Sequence, residues 1–204
     1  MTEPQRVTRR ALLGTIAATG IASVGLTAGQ SFGWLAPLNA FAPRVQGYGP
    51  QQVPVNTTAK AAGVVDAAQA ADWTLTVRHG DRTEVLDRAR LRGLPHARAT
   101  LPIACVEGWS TTAQWEGVRM RDLLALVGAP AASTVLVTSL QPRGAYRMTT
   151  MGPEFAEDPS TLVALSLNGR TLDLDHGYPA RVIAPGRPGV LQTKWLSSIE
   201  VMPG

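Results

Sequence analysis

Apolar and polar positions alternate along Trp73-Thr74-Leu75-Thr76-Val77-Arg78, the period of a strand with one buried face. His79-Gly80-Asp81 supplies turn chemistry, and Thr83–Leu86 reads as the returning strand. Asp87 stands at an N-cap position, which predicts a short helix through Leu91 that ends near Gly93 and Pro95. Ala99–Cys105 is an apolar run and predicts a buried strand leading directly into a Glu-Gly-Trp turn. From Met120 to Val127 the period changes to that of a helix, with Leu123, Leu124 and Val127 on one face. Gly128 suits the left-handed end of that helix, and Pro130 stops it. Further strands are predicted at Thr134–Ser139, Tyr146–Thr149, Leu162–Leu167, Ala180–Pro185 and Ser198–Met202, parted by turn signals such as Asn168-Gly169 and Gly186-Arg187-Pro188-Gly189. There is no internal repeat. The pattern predicts a strand-rich α+β domain over residues 72–204.

The chain ahead of that body behaves differently. No charged residue occurs from Ala11 to Pro43, and Arg6, Arg9 and Arg10 precede the run. At ~1.5 Å of helical rise per residue, about 20 residues cross a bilayer, so the run is long enough to span one. A basic start followed by an apolar stretch resembles an export signal, and Thr8-Arg9-Arg10-Ala11-Leu12-Leu13 resembles the twin-arginine type. Ala40-Phe41-Ala42 has the small-x-small form of a cleavage site, but Pro43 would follow the cut. Residues 1–42 are therefore read as a signal or an uncleaved membrane anchor, which places the rest outside the cytoplasm, periplasmic or anchored. Residues 43–71, with Gly47, Pro50, Pro54 and an Ala-rich patch, read as a linker.

Twenty Gly and fifteen Pro agree with a turn-rich body. The formal charge is +4, and about half of that excess lies in the first ten residues. The remainder is too weak and scattered for a nucleic-acid surface. The chain has one cysteine, Cys105, so no disulfide forms within it. A lone thiol in an exported protein is buried, ligated or reactive. His79, His96 and His176 show no zinc-ligand spacing around it, but a soft metal accepts a single thiolate when a cofactor brings other sulfurs. A second cluster, His176, Arg181, Arg187 and Lys194 among turn glycines, has the chemistry of a phosphate cradle.

Leu101-Pro-Ile-Ala-Cys105-Val-Glu-Gly-Trp-Ser110, with Trp115-Glu-Gly-Val118 and Leu123-Leu124, resembles the cofactor domain of molybdopterin-dependent oxidoreductases. That group includes sulfite oxidase and the catalytic subunit of periplasmic methionine sulfoxide reductase. His176-Gly-Tyr-Pro-Ala-Arg181-Val-Ile-Ala-Pro185, then Gly189, Lys194-Trp195-Leu196 and Ile199-Glu200-Val201, resembles the same family's closing segment. The likeness runs from about Trp73 to Met202.

The resemblance implies a sulfite-oxidase-type molybdopterin-binding fold around molybdenum–molybdopterin, with Cys105 as the protein's metal ligand. His176, Arg181, Gln192, Thr193 and Lys194 match positions that hold the pterin or its phosphate, and Ser139 matches a pterin-contacting hydroxyl. Asn56 and Thr57 are candidates for an N-terminal contact. Tyr146 falls where sulfite oxidases place an active-site phenol, or else it is an ordinary strand aromatic. Arg143 and Arg147 beside it would attract an anionic substrate. The implied activity is two-electron oxygen-atom transfer on a small sulfite- or sulfoxide-like molecule. Cys105 is followed by Val-Glu-Gly-Trp and not by the arginine-rich turn of animal sulfite oxidases, which leaves sulfite itself open. The sequence holds no Cys-x-x-Cys-His haem attachment and no flavin or nicotinamide fingerprint. An external electron partner is therefore expected, a membrane haem protein or a quinone-linked one. Two other readings stay open: a cysteine-nucleophile enzyme using Cys105 and His176, and a cofactor-free module tethered at the membrane.

Overall fold

The computed structural model describes residues 49–104 and 110–203. The apolar segment at residues 1–42 and Cys105 lie outside the described residues. No helix among the described residues is long and apolar enough to cross a membrane.

Among the described residues ten strands form two five-stranded sheets. β1 (Thr74–His79) and β2 (Arg82–Asp87) make the predicted hairpin, with Leu75, Val77 and Leu86 turned inward. β10 (Leu196–Val201) lies parallel to β1, and β5 (Val135–Ser139) and β6 (Met148–Met151) complete the order β2-β1-β10-β5-β6. The second sheet runs β3 (Ala97–Ala104), β4 (Ser110–Arg119), β7 (Leu162–Leu167), β8 (Arg170–Thr171), with β9 (Arg181–Ile183) also paired to β7. The main core cluster takes residues from both sheets, among them Leu75, Val137, Val163, Val182 and Ile199.

Among the described residues five short helices accompany the sheets: α1 (Ala59–Ala62), α2 (Val65–Gln69), α3 (Arg88–Gly93), α4 (Met120–Leu126) and α5 (Pro153–Ala156). Asp87 caps α3 as expected, its carboxylate accepting from the Arg90 N–H at 2.7 Å. Gly128 adopts φ 63° after α4, the left-handed form expected there.

Three expectations need correction. The sequence pattern did not announce β4, yet this strand is central in its sheet. Its register shifts between Glu116 and Gly117, so Gly117 and Val118 are buried in succession and the alternation breaks. At that bulge a Cβ on Gly117 would run into the carbonyl of Val163, so glycine is required for β4 to approach β7. The strand predicted at Tyr146–Thr149 begins at Met148 instead, because pairing with β5 starts at Thr138 and leaves Tyr146 in the preceding loop. Residues 49–71, read as linker, are packed against the body. Thr58 caps α1, and Ala59, Ala62, Val64 and Ala68 bury themselves around the Trp195 ring. Arg88 donates to the carbonyls of Ala68 and Ala70 at 2.8 Å each, pinning the end of α2. Helices of four and five residues carry too few apolar positions to show a period, so only their tertiary partners reveal them.

Candidate active site

Four separated segments converge on one pocket: residues 53–57, Ile103 at the end of β3, the loop between β5 and β6, and the chain from His176 to Trp195. Of the residues singled out in the sequence, Asn56, Thr57, Tyr146, His176, Arg181, Gln192, Thr193 and Lys194 all line it. Cys105 lies outside the described residues. Among the described residues the lining contains no Asp or Glu.

Arg181 opens β9 and is buried. Its guanidinium sits 4.9 Å from the centre of the Trp115 ring and donates to the carbonyls of His176 at 3.1 Å and Gln192 at 3.4 Å. Burial pulls its pKa down to about 10, so it remains charged at neutral pH. It makes no ion pair among the described residues. A buried cation held only by carbonyls and a ring is costly unless an anion completes it.

His176 closes a 3₁₀ turn (Leu174–His176) that Asp173 caps, its carboxylate accepting from the Asp175 N–H at 2.8 Å. The imidazole is buried, and Nε2 lies 2.6 Å from the Pro50 carbonyl. A carbonyl only accepts, so Nε2 carries the proton and donates. Burial first, then the positive charges of Arg181 and Lys194, lower the imidazole pKa; the Pro50 hydrogen bond and Asp173 oppose this. Gly177, at φ 107°, follows directly, and a Cβ there would crowd Lys194 at 3.0 Å and Arg181 at 3.1 Å. That glycine lets the two cation-bearing segments approach each other.

The chain from Gln192 to Trp195 is held mainly through its own polar groups. The Gln192 carboxamide accepts from the Ala184 N–H at 2.9 Å and donates to the Arg187 carbonyl at 3.0 Å, so it braces the turn between them. The Thr193 hydroxyl meets that of Thr149 at 2.8 Å, and Arg187 donates to the same Thr149 oxygen at 3.3 Å. Lys194 Nζ donates to the carbonyls of Thr57 at 2.6 Å and Asp175 at 2.9 Å, and lies 4.3 Å from the centre of the Trp195 ring. Trp195 stands at φ 54° with its indole N–H donating to Leu174 at 2.7 Å. Ser139 is placed behind this lining, not on it. Its hydroxyl donates to the Lys194 carbonyl at 2.7 Å, so it steadies the lysine's backbone. Tyr146 stands at the pocket edge, 53% exposed, and Arg143 and Arg147 flank it in solvent.

Sequence reasoning missed Trp115 as the ring beneath Arg181, Thr149 as partner of Thr193, and Pro50 as partner of His176. None has a signal in sequence spacing, because each partner lies at least 44 residues away.

A strand-rich domain that gathers buried cationic and amide side chains on a pocket with no acid among its described lining fits the class that holds an anionic, hydrogen-bonding cofactor. The comparisons make this specific. Residues 62–204 match the model of the oxidoreductase molybdopterin binding domain, and the chain belongs to that family. Its cofactor is accordingly molybdenum–molybdopterin. The chain is 29% identical over 174 residues to sulfite oxidase of Arabidopsis thaliana, covering 68% of this chain and 44% of that one. It is 34% identical over 103 residues to mitochondrial sulfite oxidase of Homo sapiens, covering 47% and 19%. It is also 38% identical over 103 residues to the NADH nitrate reductase of Volvox carteri, covering 45% and 12%. The chain thus spans less than half the length of these relatives. The sulfane dehydrogenase SoxCD of Paracoccus pantotrophus shares the fold, with a TM-score of 0.58, 21% identity, and 64% and 38% of the two chains covered.

Proposed function

We propose that the pocket holds the pterin of the molybdenum cofactor, with Cys105 as the protein's ligand to the metal, and that the enzyme transfers an oxygen atom to or from a small sulfite- or sulfoxide-like substrate. One observation supports this most: Asn56, Thr57, Tyr146 and residues 176–194, far apart in sequence, line a single pocket whose described residues include a buried arginine and no acid. When bound, the cofactor supplies two-electron oxygen-atom chemistry. The chain's own part is to bind and orient. Arg181 and Lys194 provide fixed positive charge for the phosphate. The neutral imidazole of His176 offers a hydrogen-bonding nitrogen without adding charge. Tyr146, on the open edge, can donate its phenolic hydrogen to a substrate oxygen, and Arg143 and Arg147 draw an anion toward that edge.

Electrons then pass to or from a separate partner, a membrane haem protein or a quinone-linked one, and the apolar segment within residues 1–42 keeps the domain at the outer face of the membrane near it. Elemental analysis tests the central claim. Protein made in a host that synthesises the cofactor should carry stoichiometric molybdenum, and Cys105→Ser should lose it. A metal-free wild-type protein whose thiol alkylates rapidly at neutral pH would favour a cysteine nucleophile instead.

A further inference from the structure

The family match begins at residue 62, yet the segment just before it makes the only contact to a ring nitrogen of His176 among the described residues. Pro50 provides that carbonyl, and the next residue, Gln51, holds the segment in place. Gln51 adopts φ 57° and ψ 24°, the left-handed region that side chains other than glycine rarely occupy. Its carboxamide is buried. Nε2 donates to the carbonyls of Leu167 at 2.8 Å, Thr171 at 3.1 Å and Arg170 at 3.2 Å, and Oε1 accepts from the Asp173 N–H at 2.7 Å. The Gln51 carbonyl accepts from the Asn168 side chain at 2.8 Å. Gln51 therefore joins the Pro50 carbonyl, the β7–β8 hairpin and the residue that caps the turn of His176.

We infer that Gln51 is a positioning residue that sets the tautomer of His176, holding the Pro50 carbonyl so that Nε2 keeps the proton and Nδ1 is left as an acceptor for the pocket's occupant. Imidazole tautomers differ little in intrinsic stability, so a fixed carbonyl acceptor on one nitrogen decides which is populated. The groups that face the ring from packed elements are Arg181, Lys194 and Asp173, and the balance of their charges also favours the neutral form. The occupant group that His176 meets is then a donor, such as an N–H of a pterin ring, while Arg181 and Lys194 take the anionic part. This assignment of the occupant rests on the pterin reading; the tautomer itself does not.

Long-range 1H–15N spectra of full-length protein with 15N-labelled histidine, prepared without cofactor, test the tautomer. Wild type should show His176, identified by its loss in His176→Asn, with Nε2 protonated and Nδ1 bare at neutral pH. Gln51→Gly suits the left-handed backbone but removes the carboxamide. It should keep the near-ultraviolet circular dichroism of the fold while its His176 signals move to a mixture of tautomers. Gln51→Glu, which cannot donate to the three carbonyls, should do the same and stands in if the glycine variant does not fold. A wild-type Nδ1–H tautomer or imidazolium at neutral pH overturns the inference, as does a folded Gln51 variant with an unchanged pattern. Absence of molybdenum from protein made in a cofactor-producing host would sink the cofactor reading and leave the tautomer assignment standing.

Discussion

At the scale of single residues, Arg181 carries the sharpest consequence. It is a buried guanidinium stacked on Trp115 and tied to two carbonyls, a geometry that lysine's point charge cannot reproduce. Hydrogen bonds to charged groups contribute about 1.5–3 kcal/mol, so Arg181→Met should weaken cofactor retention by ~10- to 100-fold. Arg181→Lys should recover only part of that loss. Molybdenum remaining after extended dialysis measures both. His176 gives a pH dependence with a defined sign. Its folded pKa lies below the ordinary 6.5, so the unfolded chain takes up a proton first as pH falls. The stability that this neutral imidazole contributes is complete above about 6.5 and is lost on descending from there through the lowered folded pKa. The melting temperature should drop over that window, and the drop should be smaller in His176→Gln. Equal drops in both proteins would remove His176 from the account.

At the scale of elements, sequence and structure agree where one element holds its own signal. Asp87 sits before α3 and caps it, so Asp87→Ala should cost about 1 kcal/mol, read from denaturant midpoints at unchanged slope. The Trp73–Arg78 alternation and the α4 period likewise became β1 and α4 with small changes at the ends. Agreement fails where a neighbour decides. β4 hides its period at a bulge that exists because β7 lies against it. Gly117→Ala places a Cβ against the Val163 backbone and should destabilise the domain by about 1–3 kcal/mol, with Gly93→Ala at the end of α3, where a Cβ meets nothing within 4 Å, as the control for lost glycine. α1 and α2 escaped notice because their apolar content is mostly alanine, whose burial against Trp195 leaves no periodic trace.

For the molecule as a whole, the parallel pairing of β1 with β10 brings the first and last strands of the body side by side, and the segment following β9 returns to the pocket just before β10 begins. Placement at the outer face of the membrane is part of the proposed function. Substituting Lys for both Arg9 and Arg10 should therefore keep the protein in the cytoplasm, as judged by fractionation. The +4 net charge is modest, and the exposed pair Arg143 and Arg147 lies beside the pocket edge. Reversing that pair to Glu should raise KM for an anionic substrate more than it lowers kcat, with the difference shrinking at high ionic strength.

Local chemistry along the chain was sufficient for the class of fold, the family, and most of the polar side chains that line the pocket. Strand alternation, a capped helix and the types of residue near positions 105 and 176–194 are properties of short stretches, and short stretches can be read directly. Which of those side chains face the pocket, and which only brace it, depended on partners brought together across the fold. Gln192 and Ser139 were both expected to contact the cofactor, yet their polar atoms are engaged by backbone 2 to 55 residues away. Gln51 and Pro50 had no distinguishing mark in sequence, and they gain a role only because the β7–β8 hairpin and the turn of His176 close around them. Hydrogen bonds between distant segments follow from packing and leave no periodicity in the chain, so the tertiary structure alone decided them.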